Sequence, residues 1–367
     1  MDPRSSWRWT RFPAAAILLA ALLGGCSGSP DDRGFGPAPI ARSFYMGFTA
    51  FPPRPDQALA LLTIGIWSQR ADAALILAEP PWDSLLAGFP PDSLVRVIHL
   101  PLANYYRAKG LRLIVSVDPT NGLDRSAESA PLVAAGRSLT EPAVQQVYRD
   151  FVTAMDTILH PDYIGVASET NLIRAIAPAS LYNAVVQAAG GAAANVAAKD
   201  SVVKIYTTVQ VETAWGKLAG PGGIYVGIDQ DLADFGFIKA LGLSSYPYLG
   251  GFTDPDSIPL DYYTRLQLGN PIQFPMLVIE GGWPSVTVAV PSDAQKQRRY
   301  ITRHARIQDQ AGTKAWFQIT FTDINEVAYG FPPGQLTPFA NLGLADVNLS
   351  PKPALSAWDA EFARPRR

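Results

Sequence analysis

From residue 43 to the C-terminus, short apolar runs alternate with stretches of helical spacing. Repeating strand–helix units lay their strands side by side in parallel, with helices covering the sheet. The strand-like runs are residues 44–48, 74–77, 111–117, 163–167, 202–210, 240–245, 276–279 and 315–321. The clearest of them carry no polar alternation, as expected of strands covered on both faces. Helical patterns fall at 55–67, 92–109, 140–159, 179–198, 229–240, 259–268 and 293–310, and a closing one at 351–362. In the 140–159 stretch Thr140 is placed to cap, Pro142 fits the first turn, and Val144, Val147, Phe151 and Met155 mark one face. Eight strands with intervening helices predict an α/β fold, a single (β/α)8 (TIM) barrel over residues 42–367. A dinucleotide-binding sheet is disfavoured, because the first strand leads into Gly47-Phe48-Thr49-Ala50 and not into a glycine-rich phosphate turn.

The chain before the barrel reads as an address. Arg4, Arg8 and Arg11 precede an apolar run, residues 14–23, that is too short to span a bilayer. It ends in Leu23-Gly24-Gly25-Cys26, which resembles a lipobox. Residues 1–25 are therefore expected to be a lipoprotein signal peptide, with Cys26 the lipidated first residue of the mature chain. More than one acyl chain, palmitate among them, is needed for stable anchoring. Ser27, in place of Asp, fits sorting to an outer membrane or cell surface in the envelope of a two-membrane bacterium. Residues 26–41, rich in Gly, Pro, Ser and Asp, read as a flexible tether.

Composition removes several function classes. The formal net charge is -2 and no basic face is apparent, so no nucleic-acid partner is expected. Cys26 is the single cysteine, which rules out an internal disulfide and a cysteine-rich zinc site. The three histidines, His99, His160 and His304, form no ligand cluster and are not placed for a catalytic triad. No metal or cofactor is expected. Asp254 and Asp256 read as a capping loop more readily than as a calcium site.

In a (β/α)8 barrel the chemistry sits at the C-terminal ends of the strands. Strand four runs into Ser168-Glu169-Thr170-Asn171, and strand seven into Glu280-Gly281-Gly282-Trp283. Asp118 closes strand three, Tyr246 follows strand six, and Glu212 and Trp215 follow strand five. Glu169 and Glu280 lie three strand–helix units apart, so a closed barrel sets them facing across its mouth. Glycosidic cleavage requires such a pair, one carboxyl protonated and the other ionised.

The run Met276-Leu277-Val278-Ile279-Glu280-Gly281-Gly282-Trp283-Pro284-Ser285 resembles the nucleophile segment of clan A glycoside hydrolases, closest to that of family 17 β-1,3-glucanases. Leu241-Gly242-Leu243-Ser244-Ser245-Tyr246-Pro247-Tyr248 resembles the strand-six segment of family 53 endo-β-1,4-galactanases. Gly165-Val166-Ala167-Ser168-Glu169-Thr170-Asn171-Leu172 is similar to the clan's acid/base segment, and the close around Lys352, Pro353 and Trp358 is similar to the ends of many barrel glycosidases. The resemblance implies a retaining mechanism, with Glu169 as acid/base and Glu280 as nucleophile. It implies that Tyr246 donates to the nucleophile and that Trp283 lines the sugar cleft. Asp118 and Trp215 are further candidates for sugar contact. In one respect the chain departs from the clan: the Asn that usually precedes the acid/base is Ser168. A hydroxyl offers one donor against the two of an amide, so the sugar 2-hydroxyl contact is weakened, routed through water or supplied by Asn171.

The expected function is a monomeric, surface-tethered, endo-acting glycosidase for β-linked galactan- or glucan-type polysaccharide. Two alternatives stand beside it: a surface glycan-binding lipoprotein that kept the barrel but lost efficient turnover, and a transglycosylase using the same two carboxylates.

Overall fold

A computed structural model describes residues 40–219, 223–332 and 334–367. The expected signal peptide, tether and Cys26 lie outside the described residues. Eight parallel strands close into a barrel in sequence order, β1 pairing with β8. They are β1 (Tyr45–Thr49), β2 (Ala73–Ala78), β3 (Arg112–Val117), β4 (Tyr163–Gly165), β5 (Lys204–Gln210), β6 (Ala240–Ser245), β7 (Met276–Gly281) and β8 (Ala315–Gln318). Each falls on a run expected from the sequence. β4 is short, but its pairing continues: Val166 N–H donates to Tyr206 O and Thr208 N–H to Ala167 O, both at 3.0 Å.

The barrel interior is filled. Ala73, Leu75, Ile114, Tyr206, Ala240, Leu277, Ile279, Ala315 and Phe317 form its buried lining. Tyr206 is the plug: its ring crosses the interior and its hydroxyl donates to Val115 O at 3.0 Å. Gly165 and Gly242 make room, since a Cβ at either would come within 2.7 Å or 2.9 Å of that ring. This packed floor leaves the mouth above it as the place for polar chemistry.

Outside, the helices bury one stripe each. The helix Pro142–Leu159 begins two residues later than its pattern suggested, because Pro142 takes the first helical position and Glu141, not Thr140, precedes it. The 92–109 stretch is two helices, Pro91–Ile98 and Leu100–Ala108, parted at His99, where Pro101 starts the second. Two expected helices are largely absent. In the 229–240 stretch after β5 regular helix covers Asp229–Asp234, because Gly236 follows and Ala240 already belongs to β6. After β6 the 259–268 stretch holds a 3-10 turn, Thr264–Gln267. Consecutive Tyr262 and Tyr263, just before it, are both fully buried. At the barrel's base Arg42 pairs with Asp72 at 2.6 Å, and its N–H donates to Pro365 O, joining the two ends of the described chain.

Candidate active site

Glu169 sits at the turn between β4 and the helix Thr170–Ile176 in a left-handed conformation, φ 47° and ψ 45°. Such a backbone is costly for a residue with a Cβ and persists where the surroundings impose it. Here Glu169 N–H donates to Thr208 Oγ1 at 2.7 Å. The turn presents the carboxylate to the mouth, where both oxygens are engaged. Ser244 Oγ donates to Oε1 and Arg125 Nε to Oε2, each at 2.7 Å.

Glu280 reaches the mouth by a different device. Along β7, Leu277 and Ile279 face the interior while Val278 packs on the helix side. Strict alternation would turn Glu280 outward as well. A bulge intervenes: Leu243 pairs with Val278, and the next residue, Ser244, pairs with Glu280. Glu280 is thereby level with the serine whose hydroxyl reaches Glu169, and re-aimed into the barrel. Tyr246 Oη donates to its Oε2 at 3.3 Å. Ser244 of β6 and Tyr246, just beyond its end, thus supply a hydroxyl to each carboxylate. Burial above all, and then the Glu169 charge, push the Glu280 carboxyl up from the ordinary glutamate range.

Arg125, in the segment after β3, ties the site together. It is 5 % exposed, bridges Glu169 and Asp118, and donates to Thr120 Oγ1 at 3.1 Å. Burial opposes its charge, but the neighbouring carboxylates Asp118 and Glu169 outweigh that and hold it cationic. Behind β5 and β6 lies a second buried carboxyl, Glu212. It accepts from Ser245 Oγ, Tyr246 N, Tyr262 Oη and Gln210 Nε2. Burial pushes it up to about 7 despite those donors.

The remaining candidates divide. Asp118 lies at the mouth as the second acceptor of Arg125. Tyr246 touches Glu280, and Phe339 packs edge-on against its ring, the centroids 5.2 Å apart. Ser168 is buried beside Glu169. Asn171 does not supply a sugar contact in its place. Its amide donates to Gln210 O at 2.9 Å and accepts from Gln210 N at 2.7 Å, pinning helix Thr170–Ile176 to the end of β5. Trp283 does not line a cleft either. It is fully buried, stacked on Tyr300 and tied through Nε1 to Ser292, so it supports the loop after β7 from behind. Trp67, Trp82 and Trp316 are also core. Trp215 is half-buried, stacked on Tyr262, with the Arg265 guanidinium over its ring. Asp254 caps the 3-10 turn Pro255–Ser257 and pairs with Arg299 at 3.1 Å, in keeping with a capping loop.

Arg125 and Ser244 were missed by the sequence reading. The available signal was electrostatic: a carboxylate buried at a strand end needs a cation, and Arg125 follows Asp118 by one short loop.

No protein-family model matches the chain, and no curated protein matches it. Solved structures do. A family 39 glycoside hydrolase from the gut symbiont Bacteroides cellulosilyticus WH2 aligns with a TM-score of 0.60 at 14% identity, over 89% of this chain and 64% of that one. An exo-β-1,4-mannosidase from Opitutaceae bacterium strain TAV5 aligns with a TM-score of 0.66 at 15% identity, over 88% and 59%. The GH53 catalytic domain of Ignisphaera aggregans aligns with a TM-score of 0.54 at 17% identity, over 73% and 78%. The chain spans less than two thirds of the length of the first two. The barrel is a fold this chain shares with glycoside hydrolases.

Proposed function

We propose that this chain is a retaining glycoside hydrolase that cleaves β-linked polysaccharide of galactan or glucan type by a two-carboxylate mechanism. The observation that carries the reading is the convergence of Glu169 and Glu280 on one mouth, the first through a left-handed turn and the second through a bulge, with hydroxyls from the end of β6 and just beyond it, Ser244 and Tyr246, on both. Backbone irregularities that aim two carboxyls at one space favour chemistry over packing. Shifted carboxyl ionisation at the same place adds to this. Asp118 and Trp215 remain candidates for holding the sugar. Export, lipidation at Cys26 and display as a monomer on the outer membrane or cell surface belong to the same proposal. Mass measurement of the mature N-terminal peptide tests the lipid. Proton NMR of the first-formed product tests the mechanism: retention gives the β-anomer before mutarotation, whereas an α-anomer formed first contradicts it.

A second reading, a glycan-binding barrel without turnover, draws on Arg125. A cation fixed on Glu169 works against that residue as a proton donor, the role the family resemblance implies for it. Glycan binding with no hydrolysis in the wild type would select this reading.

A further inference from the structure

We propose that Glu212, sealed behind β5 and β6, is a positioning residue of the site: it grips from behind the segment Ser244-Ser245-Tyr246, whose front face gives a hydroxyl to each of the two mouth carboxyls. The catalytic meaning of that grip rests on the glycosidase reading above, whereas the grip itself is a property of the folded chain with or without turnover.

The two faces of the segment follow from strand alternation. Along β6, Ala240 lines the barrel interior while Leu241 and Leu243 pack on the helix side. Ser244, and Tyr246 just past the strand end, accordingly turn to the mouth. There Ser244 Oγ donates to Glu169 Oε1 at 2.7 Å and Tyr246 Oη to Glu280 Oε2 at 3.3 Å. Ser245 turns the other way, and its Oγ donates to Glu212 Oε1 at 3.1 Å. Tyr246 N–H donates to Glu212 Oε2 at 3.0 Å. This bond sits at a corner: Pro247 follows, and it has no N–H that could replace it. The register shift between β6 and β7 lies just before the segment, so that Ser244 and Ser245 pair with Glu280 and Gly281. The stretch that Glu212 holds is therefore also the stretch against which Glu280 is laid.

Glu212 is itself fixed. It lies in the short helix Val211–Ala214, and it also accepts from Tyr262 Oη at 3.0 Å and from Gln210 Nε2. Gln210 carries the link onward, because its backbone N–H and carbonyl pair with the side-chain amide of Asn171, two residues beyond Glu169. One carboxyl thus joins the frames of both mouth glutamates. Burying it without a cation is costly, and burial pushes it up to about 7. An apolar side chain of the same size would avoid that cost, but it would leave the Tyr246 N–H and the Ser245 hydroxyl unpaired and the corner unheld. The grip does not depend on the charge. A proton on Glu212 belongs on Oε1, where the Ser245 and Tyr262 hydroxyls can turn to accept it, because neither Tyr246 N–H nor the Gln210 amide nitrogen can accept. The bond from Tyr246 N–H to Oε2 survives in either state.

The test turns on two substitutions that remove the same ionisable group. Glu212→Gln keeps an oxygen for Tyr246 N–H, whereas Glu212→Met keeps the length without the acceptor. The first readout needs no substrate: the Glu280 carboxyl is titrated by infrared difference spectroscopy of the full chain, its band assigned by its loss in Glu280→Gln. The groups that act on it, Glu169, Asp118, Arg125 and Tyr246, are the same in both variants. The Tyr246 bond lowers the Glu280 midpoint, so Glu212→Met is expected to lie above Glu212→Gln by about half a pH unit or more. In a Tyr246→Phe background the two variants should give one midpoint. The second readout is turnover of a cleaved glycan: Glu212→Met should lower kcat several-fold with KM nearly unchanged, and Glu212→Gln should recover it. Should Glu212→Met not fold, Glu212→Asp, whose carboxylate is one methylene short of Tyr246 N–H, replaces it, with an upward shift expected against wild type and an unmoved midpoint overturning the proposal. Equal midpoints in Glu212→Gln and Glu212→Met, a difference that persists in the Tyr246→Phe background, or an unchanged kcat in Glu212→Met also overturns it. Failure to find any hydrolysed glycan would count against the glycosidase reading, while the midpoints would still decide whether Glu212 positions Tyr246.

Discussion

Two buried glutamates at adjacent strand ends, Glu169 after β4 and Glu212 after β5, have opposite surroundings. Glu212 is fully buried and accepts from four donors, none of them a cation, and burial still pushes it up to about 7. Glu169 accepts fewer bonds to its carboxylate, but one comes from a guanidinium. Neutral donors offset part of the cost of burying a charge, whereas a countercharge meets the charge itself. Arg125 therefore locks two carboxylates, Asp118 and Glu169, while burial has moved the carboxyls of Glu280 at the mouth and Glu212 behind it toward neutrality.

The sharpest way to break this contrast is Arg125→Met, which leaves Asp118 and Glu169 without their shared cation. Removing one partner of a buried pair is expected to cost about 3–5 kcal/mol of stability, read from urea unfolding at neutral pH.

Glu212→Gln probes the other side. The Glu212 carboxyl is raised in the folded state above its ordinary value of 4.5. Its contribution to stability is thus fully present below about pH 4.5 and is lost as pH rises through about 7. The amide fits the site, since its oxygen can accept from Tyr246 N while its nitrogen donates to the Ser245 and Tyr262 hydroxyls. Relative to wild type, the variant is expected to gain about 3 kcal/mol between pH 4 and pH 8.5 in paired unfolding curves, the energy equivalent of the shift. A constant difference across that range would show that Glu212 does not titrate there.

How much of this was legible in the sequence follows from the kind of signal each feature leaves. The eight strands were visible because runs buried on both faces lack alternation, and Glu169 and Glu280 were visible because each ends such a run. The β6–β7 bulge was not: it shifts the register between Leu243 and Ser244, where composition is unremarkable, yet it decides which way Glu280 points. Trp283 read as a cleft residue from its motif, but stacking on Tyr300, from the helix Ala294–Ala311, takes it into the core. Tyr262 and Tyr263 fitted a helical pattern, but the regular part of their stretch is a 3-10 turn at Thr264–Gln267.

Smaller effects refine the contrast. Tyr246→Phe removes the neutral donor to Glu280. This should raise the Glu280 carboxyl further, move upward the limb of the pH–rate profile that Glu280 governs, and slow hydrolysis several-fold, the equivalent of about 1 kcal/mol. Asp254→Ala breaks a pair with Arg299 in which both side chains are nearly half exposed. It is expected to change stability by about 0.2–1 kcal/mol, less at high salt, so the same urea unfolding curves should separate it clearly from Arg125→Met.

The central claim is that the Glu169–Glu280 pair cleaves glycosidic bonds, and reducing-sugar release tests it most directly. The purified protein and its Glu280→Gln variant would be incubated with β-1,4-galactan, arabinogalactan, laminarin, β-mannan, xylan and cellulose. The account predicts release on at least one β-linked glycan that falls by roughly 10²–10⁴-fold in the variant. Equal release by both proteins, or none from a folded wild type on any of the six, would contradict it.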